Sequence, residues 1–190
     1  MDSVHDLNRY QKQFFNRAKM NLKTEMLAFD DVLLMPRLSK VKSRSDIDLS
    51  QDLDSNIKLN IPIISSPMDT VTEVKMAAAM HEMGGLGIIH RYNSIDDQAA
   101  MVRDVIAEGV YNAAAAIGVT GDFKERAMEL VRSGANVLCL DIAHGHHILM
   151  EHALKTLKDS YGKSIHLMAG NVATLEGFND LADWGADSIR

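Results

Sequence analysis

The feature that most constrains the fold is a series of apolar runs of strand length, each followed by a helix-length stretch of mixed polarity. They recur at intervals of roughly 25 residues, the spacing of strand–helix units. Their residues are mostly apolar throughout rather than alternating, which predicts parallel strands buried on both faces. The runs comprise residues 61–65, 87–90, 113–118, 137–141, 165–169 and 187–190.

The stretches between these runs have helical periodicity. Apolar residues three or four positions apart share one face of a helix and predict that this face is buried. The two clearest stripes comprise Phe123, Ala127, Leu130 and Val131, and Leu175, Phe178, Leu181 and Ala182. Alternating strands and helices predict an α/β protein with a parallel sheet.

Two architectures fit this alternation. An open doubly wound sheet usually has a glycine-rich phosphate turn after its first strand, whereas the segment Ser66–Thr70 contains no glycine. A TIM (β/α)8 barrel is therefore favoured. Such barrels need about 250 residues, so we expect a barrel truncated after five β/α units, at the start of strand 6.

The remaining organisation is simple. Residues 1–26 are predicted to form a polar lead, either a short amphipathic helix or a frayed terminus. Residues 27–190 are predicted to form the partial barrel domain, with irregular or short-strand structure up to residue 60. A net charge of −6 argues against a nucleic-acid or anionic-membrane partner. Neither a signal core nor a run of about 18 apolar residues is present, which predicts a cytoplasmic protein without a membrane partner. The single cysteine, Cys139, lies in an apolar run and is predicted to be a buried structural thiol.

Polar residues and glycine collect directly after the predicted strands. In a barrel the carboxyl ends of the strands and the loops that follow them build the active site. Turns also collect these residues for conformational reasons, so composition alone leaves a functional and a structural interpretation open. The segments are Ser65–Thr70, His90–Asn93, Gly118–Asp122, Asp141–His147 and Ala169–Thr174.

Several of these segments resemble the IMP dehydrogenase / GMP reductase family. The resemblance runs from about residue 27 to residue 190 in the family's order. It is carried by Leu27–Leu34, Ser65–Glu73, Gly84–His90, Asp141–His146 and Ala169–Thr174.

The resemblance implies a purine-nucleotide oxidoreductase in which a cysteine attacks C2 of the purine, and a covalent intermediate links hydride exchange to hydrolysis or amine chemistry. It implies NAD as cofactor, with NADP as the alternative, and a K⁺ ion in the full-length enzyme. A purine nucleotide is the implied substrate, and the family is usually a homotetramer. No catalytic residue is expected within residues 1–190, because the family's nucleophilic cysteine lies in a loop that would follow Arg190.

Three positions match residues that contact the nucleotide. From the residues alone, Ser66 is equally a turn former, Met68 a core residue and Asn171 a left-handed turn residue. The resemblance favours the binding role for Ser66, Met68 and Asn171.

Seven further positions match residues near the cofactor in the family. Asp141 matches an acid that accepts hydrogen bonds from the nicotinamide-side ribose, and Ile142 and Ala143 continue that wall. His90 and Arg91 match a pair near the cofactor, where Arg91 is suited to a phosphate or carboxylate, with a solvated surface arginine as the alternative. Ser43 and Arg44 match a pair that, in GMP reductase, reaches a cofactor bound by a neighbouring subunit.

The histidine-rich turn after residue 141 raises the question of a metal site. His144, His146 and His147 have no accompanying carboxylate or cysteine at the spacing of metal ligands. The resemblance also implies no transition metal. We therefore expect no metal site.

Different motifs are similar to different members of the family. Ser65–Glu73 and Gly84–His90 are more similar to IMP dehydrogenase, the member that we favour. Most IMP dehydrogenases insert a pair of regulatory modules for which the direct connection Arg103–Ala113 leaves no room. Lys42–Asp46, together with the motifs around His90 and Asp141, is more similar to GMP reductase, which remains the alternative. A third possibility is a non-catalytic remnant or regulatory subunit, and the reading frame after codon 190 distinguishes it from an enzyme.

Overall fold

The computed structural model describes residues 28–190, and the predicted lead over residues 1–26 lies outside this range. The chain divides into two compact units, with the boundary between Ile47 and Asp48. In the first unit the described residues form two short 3-10 turns, Phe29–Asp31 and Arg44–Asp46.

The second unit contains a two-stranded antiparallel ribbon, a six-stranded parallel sheet and five helices. The ribbon consists of β1 (Gln51–Asp52) and β2 (Lys58–Leu59). The sheet strands are β3 (Ile64–Ser65), β4 (Leu86–Ile89), β5 (Ala114–Ile117), β6 (Val137–Asp141), β7 (His166–Gly170) and β8 (Ser188–Ile189). The helices are α1 (Val74–Glu82), α2 (Ile95–Ala107), α3 (Phe123–Arg132), α4 (Ile148–Tyr161) and α5 (Leu175–Asp183). Among residues 28–190 no helix has both the length and the hydropathy that crossing a bilayer requires.

The order of the strands in the sheet is their order in the chain. Each of β3 to β7 pairs in parallel with the next strand, and one helix separates every consecutive pair. This singly wound order is that of a TIM barrel and differs from the order of a doubly wound sheet, which reverses at a switch point. The sheet curls into part of a (β/α)8 barrel, so the predicted fold class is confirmed.

Both faces of the sheet are buried, as the apolar runs predict. Ile88, Val137 and Cys139 belong to an apolar cluster on one face, which the ribbon residues Ile57 and Leu59 join. Ile89 and Leu138 belong to a second cluster, which packs against the helices. Alternate residues of one strand point to opposite faces, so continuous apolar runs serve both clusters.

The first predicted helical stripe is confirmed, and the second is wrong in part. In α3, Phe123, Ala127 and Leu130 are buried. In α5, Leu181 is fully buried, but Leu175 and Phe178 are 75% and 47% exposed, and Ala182 is exposed as well. The buried face of α5 is instead formed by Gly177 and Leu181. Periodicity identifies residues that share a helix face, whereas the packing of the neighbouring elements decides which face is covered.

A polar cluster joins the ribbon to the sheet at the amino ends of the strands. The Nδ1–H of His166, the first residue of β7, donates to Asp54 Oδ2 in the ribbon loop, and its Nε2 lies 2.7 Å from Ser188 Oγ. Burial raises the pKa of Asp54, but the hydrogen bonds from His166 and from the backbone N–H groups of Asn56 and Ile57 outweigh it and leave that pKa below its usual value. In barrels this end of the strands serves stability.

Candidate functional site

The sheet brings most of the predicted site residues to one face, which we call the carboxyl-end face. It consists of the segments that follow β3, β4, β6 and β7. Parallel strands end at the same edge of a sheet, so these segments are neighbours although they are far apart in the chain. The predicted residues on this face are Ser66, Met68, His90, Arg91, Asp141, Ile142, Ala143 and Asn171.

The segment after β3 forms a closed turn that Thr72 stabilises. Thr72 is fully buried, and its hydroxyl donates to the carbonyl oxygen of Ser66 over 2.6 Å. The backbone N–H groups of Val71 and Thr72 both donate to the carbonyl oxygen of Met68 over 3.0 Å. Ser66 is exposed and Met68 is 50% exposed, so Met68 is not a core residue. This arrangement presents a hydroxyl and a flexible thioether at the face.

His90 is buried, and both of its ring nitrogens have partners. Nδ1 accepts from the backbone N–H of Tyr92 over 3.1 Å. The ring proton therefore lies on Nε2, which donates to Glu73 Oε1 over 3.3 Å. The backbone N–H of His90 also donates to the carbonyl oxygen of Thr72 over 3.4 Å. His90 thus joins the segments after β3 and β4.

Arg91 extends across the face to the end of β6. Its Nη2 donates to the carbonyl oxygen of Asp141 over 3.3 Å, and its guanidinium carbon lies 5.6 Å from the centre of the Tyr92 ring. Within residues 28–190 no carboxylate forms an ion pair with Arg91, and its buried Nε has no hydrogen-bond partner. A partly buried cation without a counter-charge favours an anionic ligand.

Asp141 is the last residue of β6, and its carboxylate is paired within the chain. Oδ1 lies 3.3 Å from Nη1 of Arg190, and the Asp141 side chain is 17% exposed. The same Arg190 nitrogen lies 3.7 Å from Cys139 Sγ. A ligand that hydrogen-bonds Asp141 would therefore share this carboxylate with Arg190.

Cys139 is a structural thiol, as predicted. It is fully buried in the middle of β6. Burial raises the pKa of the Cys139 thiol to about 11, and the neighbouring Arg190 guanidinium offsets only part of this effect. Nucleophilic cysteines have accessible thiolates, so Cys139 does not fit that role.

The segments after β6 and β7 are joined by three main-chain hydrogen bonds. The N–H of Ile142 donates to Gly170 O over 3.0 Å, the N–H of Asn171 to Ile142 O over 2.9 Å, and the N–H of Gly145 to Asn171 O over 2.7 Å. A Cβ at Gly145 would lie 2.9 Å from the carbonyl carbon of Gly170 and 3.0 Å from N and O of Asn171. Glycine at this position therefore lets the two segments meet, which places Asp141 and Asn171 on adjoining segments.

The histidine-rich turn has other partners. Within the described residues no group of three or more His, Cys, Asp or Glu side chains is arranged to hold a metal ion. His147 is the N-cap of α4, where its Nδ1 accepts from the N–H of Leu149 over 3.1 Å. His146 pairs with Asp180 over 2.7 Å.

Ser43 and Arg44 belong to the first compact unit, and the other predicted residues belong to the second. Ser43 caps the 3-10 turn that Arg44 begins. Its Oγ accepts from the N–H of Ser45 over 3.2 Å, and its own N–H donates to Asp46 Oδ2 over 3.1 Å.

Thr72, Glu73 and Arg190 were not among the residues predicted for the site. Thr72 and Glu73 stand in the segment Ser65–Glu73, immediately before α1. The sequence shows a threonine beside a predicted strand-end turn, but it does not show that this threonine is buried or which groups it hydrogen-bonds. The pairing of Arg190 with Asp141 joins residues 49 positions apart and follows from the parallel sheet.

Comparisons with known proteins show what the chain is similar to. The IMP dehydrogenase / GMP reductase domain matches residues 26–190. An inosine-5'-monophosphate dehydrogenase from Borreliella burgdorferi is 34% identical over 215 residues, covering 87% of this chain and 53% of the relative. The enzyme of the same name from Cryptosporidium parvum is 34% identical over 206 residues, covering 86% and 50%.

A third relative differs in length within the matched region. The inosine-5'-monophosphate dehydrogenase from Nitrosopumilus maritimus is 27% identical over 289 residues, covering 87% of this chain and 60% of the relative. All three alignments are longer than the 190-residue chain, so each relative has additional residues inside its aligned region, and this one has the most of the three. The chain spans about half to three fifths of the length of the curated relatives that it matches. It belongs to the IMP dehydrogenase / GMP reductase family.

Proposed function

We propose that the chain carries the nucleotide- and cofactor-binding part of a purine-nucleotide oxidoreductase, acting as an IMP dehydrogenase on IMP with NAD. The observation that carries this proposal is the meeting of Asp141, Asn171 and Arg91 at one face, with Ser66 and Met68 exposed on the segment after β3. These side chains combine hydrogen-bond acceptors, an amide and an uncompensated cation. A dinucleotide or a nucleotide monophosphate presents the complementary hydroxyl and phosphate groups.

The residues of this face fit a nicotinamide dinucleotide. The buried, unpartnered Nε of Arg91 is suited to an anionic oxygen, and the Asp141 carboxylate is suited to ribose hydroxyls. Ile142 and Ala143 would line the wall beside that carboxylate. When bound, the cofactor supplies the hydride acceptor of the reaction.

We assign different roles to the histidine and the arginine that follow β4. Because both nitrogens of His90 are occupied by Tyr92 and Glu73, His90 would act by holding this segment in place. Arg91 would contact the ligand. Ser43 and Arg44 are proposed to approach a cofactor held by a neighbouring subunit of a homotetramer.

The covalent step would need a cysteine outside residues 1–190, since Cys139 is the single cysteine of this sequence and its thiol is buried and protonated at neutral pH. Hydride exchange through a covalent intermediate would then follow the family's chemistry. A K⁺ ion remains a prediction of the resemblance.

GMP reductase is the second candidate, and one observation favours it. Only six residues separate the end of α2 at Ala107 from the start of β5 at Ala114, so this connection has no inserted module. In this case the substrate would be GMP and the cofactor NADPH. A non-catalytic binding subunit would share the same face without turnover.

Calorimetric titration of the protein with IMP, GMP, NAD and NADPH tests these proposals. We expect affinity for IMP and NAD, and Asp141→Asn should weaken NAD binding about ten- to a hundredfold, because a charged acceptor for the ribose is lost. Asn171→Ala should weaken IMP binding instead. Preferential binding of GMP and NADPH would favour the second candidate.

A control variant separates specific from non-specific effects. Asp159→Asn removes a carboxylate from the exposed side of α4 and should leave all affinities unchanged. Asp141→Asn also frees Arg190, so affinity for inorganic pyrophosphate should rise while affinity for NAD falls. The proposal is refuted if none of the four ligands binds, or if Asp141→Asn and Asp159→Asn have the same effect on NAD.

A further inference from the structure

The segment between β6 and α4, residues 142–147, has few side chains that anchor it. Ala143, His144 and His147 are exposed. On one side the segment is joined to the β7 end through the hydrogen bonds of Ile142 and Gly145. These are main-chain contacts, so a side-chain anchor has to come from another residue of the segment.

His146 provides this anchor on α5. Its Nε2–H donates to Asp180 Oδ2 over 2.7 Å, and the His146 side chain is 28% exposed. The centres of the His146 and Trp184 rings are 5.9 Å apart. A Cβ at Gly177 would lie 3.2 Å from Cβ and Cγ of His146, so the absence of a side chain at residue 177 makes room for the imidazole.

We propose that His146 and Asp180 are a positioning pair for the carboxyl-end face. Their bond holds residues 142–147 against α5, and this keeps the N–H of Gly145 on Asn171 O. Asp141 immediately precedes this segment, and Asn171 is its contact point through the N–H of Gly145. The pair therefore sets the spacing between the cofactor side and the nucleotide side of the cleft. This role rests on the proposed function of Asp141 and Asn171.

Hydrogen exchange of the Gly145 amide, followed by NMR, tests the first part without any ligand. We expect exchange to become about fivefold faster in His146→Ala and in Asp180→Ala, the effect of losing one side-chain hydrogen bond to a carboxylate at a partly exposed site. The double variant should exchange no faster than either single variant, because the same bond is lost in each. His146→Gln keeps an N–H donor at this position and should restore slow exchange.

The fluorescence of Trp184 provides a second readout of the pair. Trp184 is the only tryptophan of the chain, so its emission should change in His146→Ala and return towards that of the parent protein in His146→Gln. Lys155→Ala is the matched control. It breaks the exposed Lys155–Glu151 pair of α4 and should alter neither the exchange of Gly145 nor the emission.

The affinity for NAD distinguishes a positioning role from a local contact. In a protein that binds NAD, His146→Ala should raise the Kd about fivefold, and His146→Gln should restore it. If the parent protein binds none of the nucleotides, the proposed function fails, while the exchange data still show whether the pair anchors the segment. Unchanged Gly145 exchange in both single variants, additive effects in the double variant, or faster exchange with unaltered NAD affinity would each overturn the positioning role.

Discussion

Replacing Gly145 with alanine tests whether the close contact between the segments after β6 and β7 maintains the carboxyl-end face. Gly145 is not among the glycines with positive φ, so alanine is permitted by the backbone and the effect comes from space alone. The new Cβ would lie 2.9 Å from a backbone carbon of Gly170 and 3.0 Å from two backbone atoms of Asn171. Backbone atoms of a paired strand end cannot rotate away as a side chain can.

The expected cost follows from these contacts. Overpacking of a well-packed site costs about 1–3 kcal/mol. Separating the segments also breaks the 2.7 Å hydrogen bond from Gly145 to Asn171, worth about 1 kcal/mol. The free energy of unfolding should therefore fall by about 2–4 kcal/mol. With a urea dependence of about 2 kcal/mol per molar, the midpoint should fall by about 1–2 M.

Gly118→Ala is the matched control, because Gly118 directly follows β5 and so also lies at the carboxyl end of a strand of the sheet. A Cβ there would meet only Nη1 of Arg91 at 3.5 Å and its Cζ at 3.8 Å, which are ordinary contact distances. We expect its urea midpoint to equal or slightly exceed that of the parent protein, since alanine restricts the unfolded chain. Equal midpoints for the Gly145 and Gly118 variants would refute the argument from close contact.

Three further predictions concern buried and partly buried polar groups. The Cys139 thiol should resist a disulfide reagent until the protein unfolds, and rapid labelling of the native protein would contradict this. Its pKa is raised to about 11 from 9.0. Its contribution to stability should therefore be complete below pH 9 and be lost as the pH rises through 11. The pKa of Asp54 is lowered, so the contribution of Asp54 to stability should be present above its unfolded pKa of 3.8 and be lost as the pH falls through the lower folded value. Asp54→Asn should therefore flatten the acid limb of the curve of stability against pH. An unchanged acid limb would argue against the His166 contact. Gln98→Leu should lower the free energy of unfolding by about 2–3 kcal/mol, because buried Gln98 donates to Ala116 O and accepts from Arg126; a urea midpoint equal to that of the parent protein would show that these bonds contribute little.

The sequence by itself determined the fold class and the position of the candidate site. Continuous apolar runs identified six parallel strands, and the observed strands lie within about three residues of the predicted ends. These runs can be recognised from the local sequence, because residues of a strand that is buried on both faces are apolar whichever strands lie beside it. Polar residues follow the predicted strands, and because the strands are parallel, these residues were expected at one edge of the sheet.

Only the tertiary structure decided which side chains meet. The Arg91–Asp141 contact joins residues 50 positions apart, and the His166–Asp54 contact joins residues 112 positions apart. Neither pair has a local sequence pattern, because each depends on the curl of the sheet and on side-chain rotamers. The exposure of Leu175 in α5 has the same origin: helical periodicity shows which residues share a face, and the elements packed against the helix decide which face is buried.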